Sequence, residues 1–210
     1  MSELINNKLL SINKDKKSII NTILTNIVKM ITERGLLDKK DIENNIKLIT
    51  SKHKDNMEYN ILLKNKKKFF IKFIQQKITA INKSSGIHDF VEHHKDNNNI
   101  VIVNEISSKA HNSMKQKYKL TEVFTEKELM MNIIDHIYQP KFEILKDLDI
   151  KEFLHDRKCE KKSLPRIFLN DPIVKYYNLN VGDIIRILRP SGVSGEVASY
   201  RLVVNGKMNK

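Results

Sequence analysis

Zinc chemistry of the His-x-x-Glu-His kind needs its ligands on one helical face. His88, Glu92, His93 and His94 approach that motif but hold one residue too many. On a helix His88 and Glu92 share a face, while His93 lies about 100° further round, so a solvated surface helix is the better reading. Phosphodiester cleavage needs two acidic Mg²⁺ ligands and a lysine on adjacent strands. The strand expected over Phe69 to Ile74 carries Lys72 but no acid, and the strand before it offers only Glu58. Cys159 is the sole cysteine, so one chain forms neither an internal disulfide nor a cysteine-based zinc site. Asp171, which precedes Pro172, is a helix cap before it is a catalyst. These residues predict no catalytic group, no metal and no cofactor.

The elements that position such residues belong to a basic chain with a modest core. Apolar residues make up 40% of the 210 residues and charged ones 30%, against usual shares of about 45–50% and about 25%. The length suits two modest domains. Net charge is +13, a balance that draws polyanions by long-range attraction. Lysine, asparagine and isoleucine are all frequent, however, and these are the residues an AT-rich genome favours. Lys66-Lys67-Lys68 and Lys161-Lys162 are short runs and read as solvated turns. Interleaved lysines and aromatics at Lys66, Lys68, Phe69, Phe70 and Lys72 offer a free-standing nucleic-acid-binding module as the alternative. Against it, the alternation places those rings where a core-facing strand needs them. Apolar stretches fall far short of the roughly 18 residues of a membrane span, and the first twenty residues hold no signal-like apolar core, so an intracellular protein is expected.

Periodicity lays out the amino-terminal part. Ile20, Ile23, Leu24, Ile27, Val28 and Ile31 recur at helical spacing after a Ser18 N-cap, and Gly35 is placed to stop the helix. A second helix carries Ile42, Ile46 and Ile49 behind Asp38, with Asp41 in its first turn. Alternation at Met57, Tyr59, Ile61 and Leu63, resumed at Phe69, Ile71 and Phe73, predicts a β-hairpin or two adjacent strands. A helix near Ile87 to His94, a strand over Ile100 to Val103, a helix around Lys109 to Lys117 and a strand over Leu120 to Phe124 complete an α+β block. A junction follows, with a helical piece from Leu129 to His136, Pro140 as breaker and a short helix near Ile150 to Leu154. The boundary is expected near residue 140.

Turn formers then dominate, since four of six glycines lie at or beyond Gly182 and three of four prolines at or beyond Pro165. Pro165 pushes Leu164 into extended backbone, leading to a strand through Ile167 and Leu169. Asp171-Pro172 starts a short helix that ends near Asn178. After Gly182, a strand from Asp183 to Arg189 reaches Arg189-Pro190-Ser191, reverses around Gly192 and Gly195, and returns through Val197 to Val204.

This stretch resembles the assembly domain of the shared fifth subunit of eukaryotic RNA polymerases and of its shorter archaeal counterpart. The resemblance rests on Leu164-Pro165-Arg166-Ile167, Asp171-Pro172, Tyr176 or Tyr177, Gly182, Ile187, Arg189-Pro190-Ser191, Gly195 and Tyr200-Arg201-Leu202-Val203, in matching order and spacing. It continues upstream more weakly through Glu128-Leu129, Asn132-Ile133, His136 and Pro140, where His136 is expected as a packed or hydrogen-bonded structural residue. The amino-terminal block then resembles the eukaryotic jaw domain. Ser107-Ser108-Lys109-Ala110 aligns with a Thr-Pro-Ser-Ala loop near DNA in the family, with Ser108 standing in place of the proline.

The resemblance implies a non-catalytic subunit of a multisubunit DNA-dependent RNA polymerase. The expected architecture is α+β, with a mixed jaw-like domain over 1–140 and a small mixed β/α assembly domain over 141–210. The expected partners are the largest polymerase subunit and, more weakly, downstream duplex DNA, with no membrane and no small-molecule substrate. Candidate assembly residues are Leu164, Pro165, Arg166, Ile167, Asp171, Pro172, Arg189, Pro190, Ser191, Tyr200 and Arg201, and candidate DNA-proximal residues are Ser107, Ser108 and Lys109. The arginines among them carry forks able to grip carboxylates, whereas the prolines and Asp171 have backbone reasons to be present. The residue bias and the divergent jaw favour a large DNA virus, placing the chain in the virion and host cytoplasm; a cellular enzyme would place it in the nucleus.

Overall fold

The computed structural model describes residues 15–51, 57–79 and 86–206. Most of the first twenty residues, where no signal segment is expected, lie outside those described. The chain forms two compact units, Met1–Met131 and Asn132–Lys210. No helix among the described residues is long and apolar enough to cross a membrane.

The first unit opens with α1 (Lys16–Glu33), whose residues Ile20, Ile23, Leu24, Ile27, Val28 and Ile31 are buried as the spacing predicts. It begins earlier than expected, with Asp15 rather than Ser18 as N-cap. Asp15 makes no side-chain cap bond there, but its negative charge is favourable at the positive helix end. Gly35 terminates the helix at φ +76°, with Leu36 N–H donating to the Ile31 carbonyl at 3.1 Å and Gly35 N–H to that of Thr32 at 2.8 Å. This is a Schellman ending, which needs a left-handed residue just there. A 3₁₀ turn over Lys39–Asp41 leads to α2 (Ile42–Ser51), which buries Ile49.

Strands β1 (Glu58–Leu62) and β2 (Lys68–Ile78) form the antiparallel hairpin, and β3 (Asn98–Ile106) and β4 (Thr121–Thr125) extend it in parallel to give the order β1-β2-β3-β4. Parallel neighbours require crossovers, and these carry α3 (Ile87–His93) and α4 (Ser108–Lys117). The run Ile100 to Val103 in β3 is buried at every residue, as an interior parallel strand demands. Val101 and Val103 join a cluster with Ile87, Phe90, Val91, Ala110 and Met114 of the crossover helices.

Arg34, just past α1, crosses 88 positions of sequence to Glu122 on β4 in a two-pronged bond, Nη1 to Oε1 at 2.7 Å and Nη2 to Oε2 at 2.8 Å. The side chains are only 5% and 17% exposed, so the pair is largely shielded from water. Its two forks satisfy each other in parallel geometry.

The junction departs from expectation. Instead of one helical piece from Leu129 to His136 there are two, α5 (Glu126–Leu129) and a 3₁₀ turn over Ile133–Asp135. Thr125 and Glu128 close a capping box that starts α5, and extended backbone at Asn132 separates the pieces. The division between units therefore falls after Met131, and not at 140, because residues 132–140 lead directly into β5 (Lys141–Ile144). That strand escapes periodicity, being four residues with charge at alternate positions.

The second unit continues with α6 (Asp147–Asp156), β6 (Arg166–Phe168), α7 (Pro172–Tyr176), β7 (Ile184–Ser191) and β8 (Gly195–Val204), in the sheet order β5-β7-β8-β6. The β6 strand stops at Phe168, although Leu169 N–H still donates to the Val204 carbonyl at 3.0 Å. Asp171 caps α7 by accepting from Ile173 N–H at 2.9 Å, with Pro172 at the first helical position. Asn178, at φ +51°, ends that helix, and Gly182, at φ +99°, makes the turn into β7. The architecture is α+β in both units.

Removing either partner of a shielded charge pair leaves the other uncompensated. Arg34→Ala or Glu122→Ala is expected to cost about 3–5 kcal/mol, read from urea unfolding midpoints. Lys77→Ala, which breaks the exposed Lys77–Glu105 pair, is expected to leave the midpoint unchanged within error.

Candidate functional site

The candidate assembly residues divide into those spent on the fold and those facing outward. Ile167 is buried in β6, and Asp171 with Pro172 starts α7. Ser191 is a turn former, its Oγ accepting from the Val193 and Ser194 N–H groups at 3.4 Å each. Tyr200 stacks on Phe153 of α6, with centroids 4.0 Å apart and planes at 25°, so that ring holds α6 against the sheet. Leu164 is half-buried in extended backbone, and the Pro165 carbonyl accepts from Leu202 N–H at 2.8 Å. Arg201 is half-buried across from Ile185.

Pro165, Arg166, Arg189 and Pro190 are exposed. They do not form one cluster. Arg166 is in register with Leu202 and Arg189 with Val197, five positions apart along β8, which is roughly 17 Å of strand. The outward candidates therefore occupy two places on the sheet. A further arginine, Arg186, bonds Glu143 across the β5–β7 pair at 3.3 Å and helps hold the edge strand.

Sequence reasoning missed the apolar residues turned outward. Ile137 is 88% exposed, Tyr138 87%, Leu148 79% and Val193 fully exposed, all in the second unit. Isolated exposed apolar residues are ordinary, but neighbouring ones of this size mark interaction surfaces. The only sequence signal was an apolar pair, Ile137 and Tyr138, between the expected helical piece and Pro140, in a stretch read as a junction. His136 is exposed rather than packed, and its Nδ1 accepts from Tyr138 N–H at 3.3 Å, which shapes the turn presenting that pair.

The DNA-proximal candidates sit where β3 enters α4. Ser107 is committed to the fold, its Oγ accepting from Ala110 N–H at 3.2 Å and donating to the Thr79 carbonyl at 2.9 Å. Ser108 and Lys109 are exposed beside it.

The rival chemistries find little to use. Lys72 Nζ meets Glu58 Oε1 at 2.6 Å across the hairpin, a lysine with a single acid. Among the described residues no three of His, Cys, Asp and Glu are grouped to hold a metal ion. Phe69 is buried and Phe70 half-buried, leaving Lys66 and Lys68 in water. The α3 helix is not solvated all round, since Ile87, Phe90 and Val91 are buried. His94 at its end is stacked on Phe70 with centroids 3.7 Å apart and meets Phe90 edge-on at 5.1 Å. Burial there lowers the His94 pKa below 6.5; Glu58 opposes the shift and His93 reinforces it.

Comparison with known proteins falls on the unit so described. Residues 131–203 match the family model for the RNA polymerase Rpb5 C-terminal domain. The chain is 30% identical over 205 residues to DNA-directed RNA polymerase subunit 5 of Acanthamoeba polyphaga mimivirus, covering 95% of this chain and 98% of that one. It is 35% identical over 121 residues to subunit rpabc1 of DNA-directed RNA polymerases I, II and III from Dictyostelium discoideum, covering 55% and 61%. Subunit Rpo5 of Nitrosopumilus maritimus is 43% identical over 70 residues, 33% of this chain and 84% of that one. A four-stranded sheet unit that follows a larger α+β unit in sequence, on a chain with these relatives, defines an accessory protein of transcription. The chain belongs to the subunit 5 family of DNA-directed RNA polymerases, whose members are accessory and not catalytic subunits.

The His94 environment has a pH consequence. A histidine whose folded pKa is depressed binds fewer protons than in the unfolded chain, so its contribution is full above about 6.5 and is lost as pH falls through the window below that value. Thermal melts taken from about pH 7.5 down to about pH 5.5 should lower Tm more in the parent than in His94→Phe, which keeps the ring stack without the titration. Parallel curves for the two proteins would show that His94 does not set this dependence.

Proposed function

We propose that this chain serves a multisubunit RNA polymerase of a large DNA virus, docking through its carboxy-terminal unit on the largest subunit. Its amino-terminal unit forms part of the jaw near downstream DNA, with Ser108 and Lys109 on the DNA side. The polymerisation chemistry and its Mg²⁺ belong to other subunits. Such a protein is intracellular, in the virion and host cytoplasm.

The reading is carried by the near full-length match to a viral subunit 5, whereas the Dictyostelium match covers 55% of this chain. The surface supports it. Of the eleven large apolar residues that are exposed among those described, seven lie in the second unit although it is the smaller one. A free small domain gains nothing from such exposure, while a subunit buries it on assembly. Pro165 and Arg166 at one place on the sheet, and Arg189 and Pro190 at another, would take the polar part of that contact.

The alternative is a free-standing basic module, favoured by the net charge of +13. Tagging the chain, purifying it from its native cells in high salt and identifying what stays bound separates the two. Recovery with both large polymerase subunits is expected. Recovery alone, with steeply salt-dependent DNA binding, would favour the module. Within the complex, Arg189→Ala and Tyr138→Ala should each reduce retention more than Lys67→Ala. Equal retention of all three would count against the assigned docking face.

A further inference from the structure

Two loops of the first unit bring together lysines that are well separated in sequence. Lys39 and Lys40 form the 3₁₀ turn between α1 and α2, and Lys64, Lys66, Lys67 and Lys68 lie in and just beyond the β1–β2 turn. A backbone bond from Lys64 N–H to the Leu36 carbonyl, 3.1 Å, fastens one loop to the other. The ion pair of Lys64 with Asp38 at 2.8 Å adds a second tie. Between them lies a cavity of about 520 Å³ lined by Thr32, Gly35, Leu37, Asp38, Lys39, Lys40 and Lys64.

The charge there is one-sided. Residues 36–41 and 63–68 contribute six lysines against two carboxylates, Asp38 and Asp41. Asp38 is engaged by Lys64, and Asp41 sits in the first turn of the 3₁₀ segment that runs into α2, where the helix start offsets its charge. All six lysines are exposed, and five of them make no ion pair with a described carboxylate. Lys66 is held at φ +62°, a conformation glycine or asparagine adopts more cheaply, so the turn keeps an ammonium group where backbone preference alone would choose another residue.

We propose that this lysine rim binds the sugar–phosphate backbone of nucleic acid, without reading sequence. Exposed ammonium groups on flexible stems suit spaced phosphates as point charges, whereas planar carboxylate recognition favours the arginine fork, and this rim has no arginine. The nearby rings are not available for base stacking, because Phe69 is buried and Phe70 is covered by His94. The contact is thus one of position and charge. It is also separate from the Ser107 loop. The rim stands where β2 begins, and Ser107 N–H bonds Ile78 where β2 ends, roughly 30 Å away along the strand. The proposal does not rest on docking to a polymerase and is tested on the isolated full chain.

The test is fluorescence anisotropy with a labelled 20-base-pair duplex and a single-stranded RNA of equal length, between about 50 and 200 mM salt. Replacing Lys39, Lys40, Lys66 and Lys67 together by glutamine should reduce the slope of log affinity against log salt by about 3 to 4 for the duplex and less for the single strand, following about 0.9 and 0.7 per phosphate contact. The corresponding four arginine substitutions should retain the slope, and circular dichroism melts confirm that both variants fold. A control replaces Lys141, Lys151, Lys158 and Lys162 by glutamine, removing equal charge from exposed positions of the second unit. An unchanged slope in that control supports the proposal. Equal losses in both glutamine variants, no binding by the parent, or competition by poly-glutamate as strong as by the duplex would each overturn it. None of these outcomes bears on co-purification with polymerase, so the two readings fail independently.

Discussion

The pairing of β7 with β8 is the interaction on which the carboxy-terminal unit depends. Eight registered positions from Ile184–Leu202 to Ser191–Gly195 hold the hairpin, and each short edge strand exists only by adding to it. The β5 strand pairs through four positions of β7 and β6 through three of β8. Neither edge is long enough to be stable alone, since an isolated short strand has too few bonds to offset its ordering cost. Flanking backbone bonds, Gly182 N–H to Val203 and Val203 N–H to Asp183, lock the start of the hairpin to its end. The hydrophobic residues Ile184, Ile185, Ile187 and Val203 are thereby buried, while Val193 and Val197 near the hairpin's turn stay exposed.

The amino-terminal unit is organised differently. Its interior strand β3 is buried along Ile100 to Val103, and the crossover helices cover one face of it through Val101 and Val103. The Arg34–Glu122 pair then links the end of α1 to the edge strand β4, so the helical pair and the sheet are held as one body. Such a body holds its loop ends at fixed positions. Its strongest charge pairs, Arg34 with Glu122 and Lys72 with Glu58, are used up in the fold.

Much of this was legible from residue order. Helical spacing located α1 and α2, alternation located the β1–β2 hairpin, and Asp171-Pro172 marked the start of α7 because cap and φ requirements are local. The family resemblance in the tail rested on such local constraints, at Pro165, Gly182 and Gly195, where the backbone allows few residues. The candidate site was less legible. Tyr200, a candidate assembly residue, stacks on Phe153, and His94, expected in solvent, stacks on Phe70. Nothing within a few residues of either announces its partner.

By itself, then, the sequence determined the kind of each long element, where most of them stop, and the family to which the chain belongs. Only the tertiary structure decided that the units part after Met131, that Lys141–Ile144 is a strand, that Ile137 and Tyr138 face outward, and that the loops of Lys39 and Lys64 meet. The reason is one of range. Spacing, caps and turn conformations are set by neighbours along the chain, whereas a four-residue strand, a ring stack or a joined pair of loops gains its stability from residues dozens of positions away.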